Sequence, residues 1–473
     1  MNILFVHEVF GSCGGAESNA LATATELQAR GHRVGLLTQR GTGKGEEAWE
    51  ALFGSDLFRL EHGAGRAVAA FQPDVLYVHK WEHLASLEEF LAGLGWTQVR
   101  KRGFLADLFP HRGPCETIFG YSASCDPSIL TGKLPSEHGH FSFFVDEPKR
   151  SPFRWARHLG WLPQWSAAHH RVRNRVSRWV AAHAGYTGYF QLYSVPFSKL
   201  PHLDYTEKRD IYLPGGINGG QPTIFEHWEE AGVPWTRSDW RAGDVANVAH
   251  LKQEIAHGKV RLAYLFTAGL DATMHAHTTD SAETDAAFAK FERWVREIHT
   301  LALEHYGEVR MHLFSDHGMT NTTRVSRMMV DFENAGFIFV RDYTAVWDST
   351  MARFWFPGGD ASRQAIRDWL AARDEGRIVT ERELGTWGCR FPDHRYGELF
   401  YLLDNGCIFA PSFMNRSRVP AMHGFDPAEP DSKACWLTTH AGSFKPRRIN
   451  EIYDVMRQAA DAVSLRPAVA CPA

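Results

Sequence analysis

The chain has 473 residues, 44% hydrophobic and 22% charged, both near the globular average. That composition excludes a disordered chain, a collagen and a coiled coil, and at roughly 100–200 residues per domain it leaves room for two to four domains. Lys and Arg number 51 against 55 Asp and Glu, a net charge of −4 that offers no bulk positive field to a nucleic-acid polymer. No apolar run approaches the roughly 20 residues of a membrane span, so no transmembrane segment is expected. The start, MNILFVHEVF, has no basic stretch ahead of its apolar run, so no secretory leader is expected either. Cys13, Cys115, Cys125, Cys389, Cys407, Cys435 and Cys471 are scattered without a CxxC pair. That scatter predicts reduced thiols and a cytoplasmic protein. The 25 His hint at metal or acid–base chemistry.

Residues 2–7, NILFVH, form a short apolar run that suits a buried parallel strand. The turn GSCGGAES follows, then a helical pattern with Leu21, Ala24 and Leu27 on one face, stopped by Gly31. RVGLLT at 33–38 reads as a second strand. Gly11, Gly14 and Gly15 give G-x-x-G-G rather than G-x-G-x-x-G, and no acid ends the second strand, which disfavours a dinucleotide site. This opening, with PDVLYVH at 73–79, resembles the N-terminal domain of family 4 GT-B glycosyltransferases over about residues 1–95. The resemblance implies a Rossmann-like half whose glycine loop lies near phosphates. A sugar transferase needs a second Rossmann domain with an acidic motif, and none is visible downstream. The leading reading of this segment is a half-domain that packs or binds. A glycosyltransferase-related, sugar-nucleotide-binding protein is the alternative.

Residues 149–178 combine Lys149, Arg150, Arg154, Arg157, Arg171, Arg173, Arg175 and Arg178 with Trp155, Trp161 and Trp165, and Trp179 follows directly. A solvated cap helix is the plain reading, and contact with an anionic substrate or lipid headgroup is the other. GGINGG at 215–220 lacks the Gly-Lys-Ser/Thr of a P-loop. VRLAYLF at 260–266 reads as a strand, residues 283–305 as a helix with Phe288, Phe291, Val295, Ile298 and Ala302 on one face, and VRMHLF at 309–314 as a strand. This order predicts a parallel crossover that releases acids and histidines past both strand ends, where open α/β sheets bind ligands. Asp271 and His275 stand four apart, Asp316 and His317 are adjacent, and His423 lies in MHGFDP. Such a set suits zinc or manganese. The tail 464–473 reads as disordered.

LDATMHAH, FSDHGMT and MHGFDPAEPDSKACWLTTHAGSFKP, in that order, resemble the alkaline phosphatase superfamily. The likeness is to its type I phosphodiesterase/nucleotide pyrophosphatase branch, over about residues 100–450. The resemblance implies an α/β fold with a parallel sheet sandwiched by helices over 100–460, and a cap inserted at about 148–255. Upstream, ETIFGYSASCDPSILTGKLPSEHGHFSFF resembles the nucleophile segment, in which a Ser or Thr stands nine before the Thr of Thr-Gly. Counting back from Thr131 gives Ser122. Ser124 and Cys125 are rivals by chemistry alone. The implied activity is metal-dependent hydrolysis of a phosphate ester, diester or pyrophosphate in a small anionic substrate, through a covalent phosphoserine. Two divalent ions, zinc or manganese, are implied, one on Asp271, His275 and His423 and one near Asp316 and His317. The family has a further ligand, an Asp ending the first strand in an Asp-Gly setting. The stretch ahead of Ser122 shows no such strand. Asp107 in FLADLFP is the nearest Asp, and His7 or Glu8 in NILFVHE is another candidate. A binding protein that has lost one metal ligand is therefore a second alternative.

Overall fold

The computed structural model describes residues 1–11, 15–80, 105–159, 170–440, 442 and 444–464. Cys13, Gly14, Trp161, Trp165, Cys471 and the rest of the tail from 465 lie outside them. The chain divides into two compact units, Met1–Thr97 and Gln98–Ala473.

The first unit contains β1 (Asn2–His7), α1 (Gly15–Ala29), β2 (Arg33–Thr38), α2 (Glu47–Phe53), β3 (Leu57–Arg59), α3 (Ala64–Phe71) and β4 (Val75–Lys80). The strands form a four-stranded sheet in the order β3-β2-β1-β4, every pair parallel. Both faces of β1 are covered, which is why its sequence is apolar without alternation. Ile3 and Phe5 pack with Ala20, Ala24, Trp49 and Phe53 of α1 and α2. Leu4 and Val6 pack on the opposite face with Ala67 and Phe71 of α3.

In the second unit β5 (His111–Cys115) runs into α4 (Ser122–Thr131), and α5 (His170–Ala184) follows. Next come β6 (Trp235–Arg237), α6 (Asp244–Ala256), β7 (Leu262–Tyr264), α7 (Gly269–His277), α8 (Ala282–Tyr306) and β8 (His312–Phe314). After β9 (Thr320–Asn321), an antiparallel sheet is built from β10 (Thr344–Trp347), β11 (Met351–Trp355), β12 (Gly376–Ile378) and β13 (Leu399–Leu403). The chain then passes through β14 (Ala421–Met422) and β15 (Ala434–Thr438) to α9 (Ile452–Ser464). Val180, Leu192, Tyr205 and Trp228, from the segment between 148 and 255, share one buried core with Phe354 and Tyr401.

The predicted pairing of the strands around 262 and 312 is not found. β7 pairs in parallel with β6, and β8 pairs antiparallel with β15. Apolar runs mark strands without naming partners, and here the two runs meet through side chains, Tyr264 against Phe314 at 6.2 Å between ring centroids. β15 is antiparallel to β5 as well as to β8, so β5 and β8 run in the same direction on either side of it. Their C-terminal ends therefore open on one edge, where the chain delivers Ser122 and the Asp316-His317 pair. β9 pairs antiparallel with β14, which brings His423 alongside.

Candidate active site

Ser122 is the first residue of α4, with extended Tyr121 as its cap. A helix start leaves its first amide N–H groups without helical partners, an arrangement that suits an anion beside Ser122. Ser122 Oγ lies 3.1 Å from His317 Nε2, and the same nitrogen is 3.1 Å from Asp316 Oδ2. Burial opposes ionisation of Asp316, but the charge and hydrogen bond of His317 and the Ser122 hydroxyl hold its carboxyl below the usual range. Burial likewise works against the His317 imidazolium. Asp316, by charge and hydrogen bond, and Asp271 outweigh it and raise His317 to about 9.

Asp271 and His275 lie on α7 rather than in a loop, and one helical turn places them on the same face. His275 Nε2 is 3.5 Å from Asp271 Oδ2, and His423 Nε2 is 3.9 Å from Asp271 Oδ1. Donor atoms of Asp271, His275 and His423 all lie within 4.8 Å of one another, and this is the one such group of three or more among the described residues. The His423 ring stacks on His317 at 3.6 Å, joining the two pairs into one site. Burial, then the neighbouring His317 and His275, keep His423 well below its ordinary pKa, hence neutral.

These residues fit a cation. Asp271 Oδ1 and His423 Nδ1 are buried without a hydrogen-bond partner. His275 Nδ1 lies 2.8 Å from the Ala421 carbonyl, and His317 Nδ1 lies 2.8 Å from the Gly318 carbonyl. A ring nitrogen that donates to a carbonyl fixes the ring and leaves Nε2 to ligate once it is deprotonated.

The rival nucleophiles are occupied. Ser124 Oγ is fully buried and its contacts at 3.0 and 2.8 Å are the carbonyls of Phe119 and Tyr121. Cys125 is buried, and burial pushes its thiol far above the ordinary range. Both Asp107 oxygens are held by Arg296, at 2.6 and 2.8 Å. His7 and Glu8 belong to the first unit, with His7 buried edge-on to Trp49. His277 pairs with Glu283 at 3.9 Å, His312 stacks on Trp436, and half-buried His440 follows the end of β15.

Three residues of the site were not singled out in the sequence. Asp126 stands one turn along α4 from Ser122. Burial, then Asp316 and Glu207, raise its carboxyl well above the usual range, with His317 and Asp271 also acting on it. The i, i+4 spacing from Ser122 was the available signal. Tyr121 Oη lies 2.8 Å from Thr350 Oγ1 and accepts the Thr350 N–H at 3.0 Å. Thr350 Oγ1 in turn donates to the Gly424 carbonyl at 2.7 Å. The residue before Ser122 and the residue after His423 are thus pinned to one turn. Close approach sets the residues here. Gly120 has φ +117° and Gly424 φ +88°, and a Cβ on Gly424 would sit 2.5 Å from the Tyr121 ring.

The family described as type I phosphodiesterase / nucleotide pyrophosphatase matches residues 114–404, more than half of the chain. The chain belongs to that family. It is a phosphodiesterase/pyrophosphatase-like hydrolase of the alkaline phosphatase superfamily. The match ends before His423, which joins the site on geometry. Murine ectonucleotide pyrophosphatase / phosphodiesterase 5 superposes with a TM-score of 0.51 at 15% identity, covering 74% of this chain and 86% of that one. An inactive variant of it, solved in complex with AMP, gives the same values. The human protein of the same name gives 0.51 at 13% identity with the same coverage. At these identities the likeness is one of fold. No curated protein matches the sequence. The sugar-transfer alternative draws no support from these matches.

Proposed function

We propose that this hydrolase cleaves a phosphodiester or pyrophosphate bond in a small anionic substrate by attack of Ser122 Oγ, with two divalent cations held at the site. The carrying observation is the 3.1 Å approach of Ser122 Oγ to His317 Nε2, beside the three-donor group of Asp271, His275 and His423. Those three residues would hold one cation. Asp316 and His317 would hold the other. When bound, the cations offset charge on the oxygens at both ends of the displacement. The histidine-rich donor set suits zinc, with manganese as the alternative.

The chain's own groups do the rest. Asp316 takes the Ser122 hydroxyl proton's hydrogen bond and His317 fixes the oxygen in place. The amide N–H groups at the start of α4 face the phosphoryl oxygens. As the Oγ–P bond forms, the hydroxyl proton passes to Asp316, the bond to the leaving oxygen breaks and that oxygen takes up a proton, leaving Ser122 esterified to the phosphoryl group that still carries the rest of the substrate. Water then attacks phosphorus with loss of a proton, the Oγ–P bond breaks, Ser122 regains its proton and the phosphate monoester is released. For the first unit, the all-parallel sheet supports a Rossmann-like half that packs or binds. The five described cysteines are free, consistent with a cytoplasmic location. No helix among the described residues is long and apolar enough to cross a membrane.

Elemental analysis after dialysis against trace zinc and manganese tests the two-cation reading. The expected content is about two metals per chain in the wild type and about one in Asp316→Asn. One metal or none in the wild type would refute it.

A further inference from the structure

We propose that the outer face of α5 is a docking surface for a bilayer rich in anionic phospholipid. α5 reads HRVRNRVSRWVAAHA, with four arginines and no acid. At 3.6 residues per turn its two faces separate cleanly. Arg173, Ser177 and Val180 are buried and turn inward. The Arg173 guanidinium lies over the Phe197 ring at 4.2 Å, and Ser177 Oγ accepts the Leu192 N–H at 3.0 Å, so this face anchors the helix. Arg171, Arg175 and Arg178 form a stripe on the opposite face, all exposed. Among the described residues none of the three has an ion-pair partner.

Along one side of the stripe run Val172, 45% exposed, and Trp179, 49% exposed. Trp155 packs edge-on against Trp179 at 5.7 Å, so the indole is held out on a packed support. The stripe borders an open groove of about 820 Å³ lined by these arginines, Asn174 and Trp179.

Arginines that reach phosphate beside a Trp and an aliphatic side chain suit the headgroup layer, where the cation meets phosphate and the indole sits at the apolar boundary. The charge on the rest of the chain argues for the same occupant. With a net charge of −4 the molecule as a whole repels polyanions, so attraction must be local to this face and needs a dense, flat array of anions. A nucleic-acid strand would need phosphate contacts along a longer basic track.

The test is co-sedimentation of the full chain with vesicles of phosphatidylcholine alone and of phosphatidylcholine mixed with phosphatidylglycerol. Binding to the mixed vesicles only is expected, lost at about 0.5 M salt. The Arg171→Gln/Arg175→Gln/Arg178→Gln variant should lower the partition coefficient roughly a hundredfold, with Trp179→Ala causing a smaller loss. Far-UV circular dichroism and melting temperature of the triple arginine variant should match the wild type, because those three side chains are exposed. Equal binding to both vesicle types, unchanged binding by the triple variant, or binding to a single-stranded oligonucleotide without binding to vesicles would overturn the proposal.

Discussion

The turn that carries Thr350 is held from below by a buried ion pair, and breaking that pair is predicted to destabilise the second unit strongly. Arg353 and Asp348 are both fully buried, with Nε to Oδ2 at 2.9 Å. The guanidinium also donates to the Tyr396 carbonyl at 3.0 Å, to Ser142 Oγ at 2.8 Å and to the Phe144 carbonyl at 2.9 Å. Arg353→Met keeps an unbranched stem but leaves Asp348 without its cation and two carbonyls without a donor. Removing one partner of a buried pair costs about 3–5 kcal/mol, and the stranded carbonyls put this case toward the upper end. Urea unfolding followed by far-UV circular dichroism measures it. In Arg353→Met/Asp348→Leu the buried charge is gone as well, so the double variant should recover at least about 2 kcal/mol of the loss. A loss below about 1 kcal/mol in Arg353→Met would mean that water reaches the pair, and the reasoning would fail.

Two further outcomes follow from the site. Thr350→Val keeps the shape but deletes the hydroxyl shared by Tyr121 and Gly424. It should lower kcat on a soluble phosphodiester about tenfold while metal content stays unchanged, because Ser122 loses its alignment rather than its ligands. Steady-state kinetics beside elemental analysis separates the two. The second outcome concerns pH. His317 is raised from 6.5 to about 9 in the folded chain, so its contribution to stability is fully present below pH 6.5 and lost as pH rises through 9. The metal-free protein should therefore melt at lower temperature as pH rises across that window. The zinc-loaded protein should not follow this trend, since a metal-bound imidazole carries no proton at Nε2.

The parts of this molecule legible in the sequence are the local ones. The spacing of Asp271 and His275, the adjacent Asp316-His317 and the nine-residue count from Ser122 to Thr131 are short-range patterns. So is the apolar run of β1, buried on both faces. What the sequence hid is long-range. Thr350 meets Tyr121 across 229 positions, and Arg353 reaches Ser142 across 211. No local pattern marks such partners. The pairing of β7 with β6 was hidden for the same reason, because every apolar strand in the unit offers the same backbone donors and acceptors. Asp126 was not singled out because the charges that act on it, Asp316 and Glu207, stand far from it in the chain.

The most direct measurement is turnover of a soluble bis-aryl phosphodiester by the zinc- or manganese-loaded chain, wild type against Ser122→Ala. The account predicts metal-dependent release of the aryl alcohol by the wild type, abolished by chelation and reduced by at least about a thousandfold in Ser122→Ala. Turnover that survives Ser122→Ala unchanged, or that proceeds equally after the metal is stripped, would contradict it.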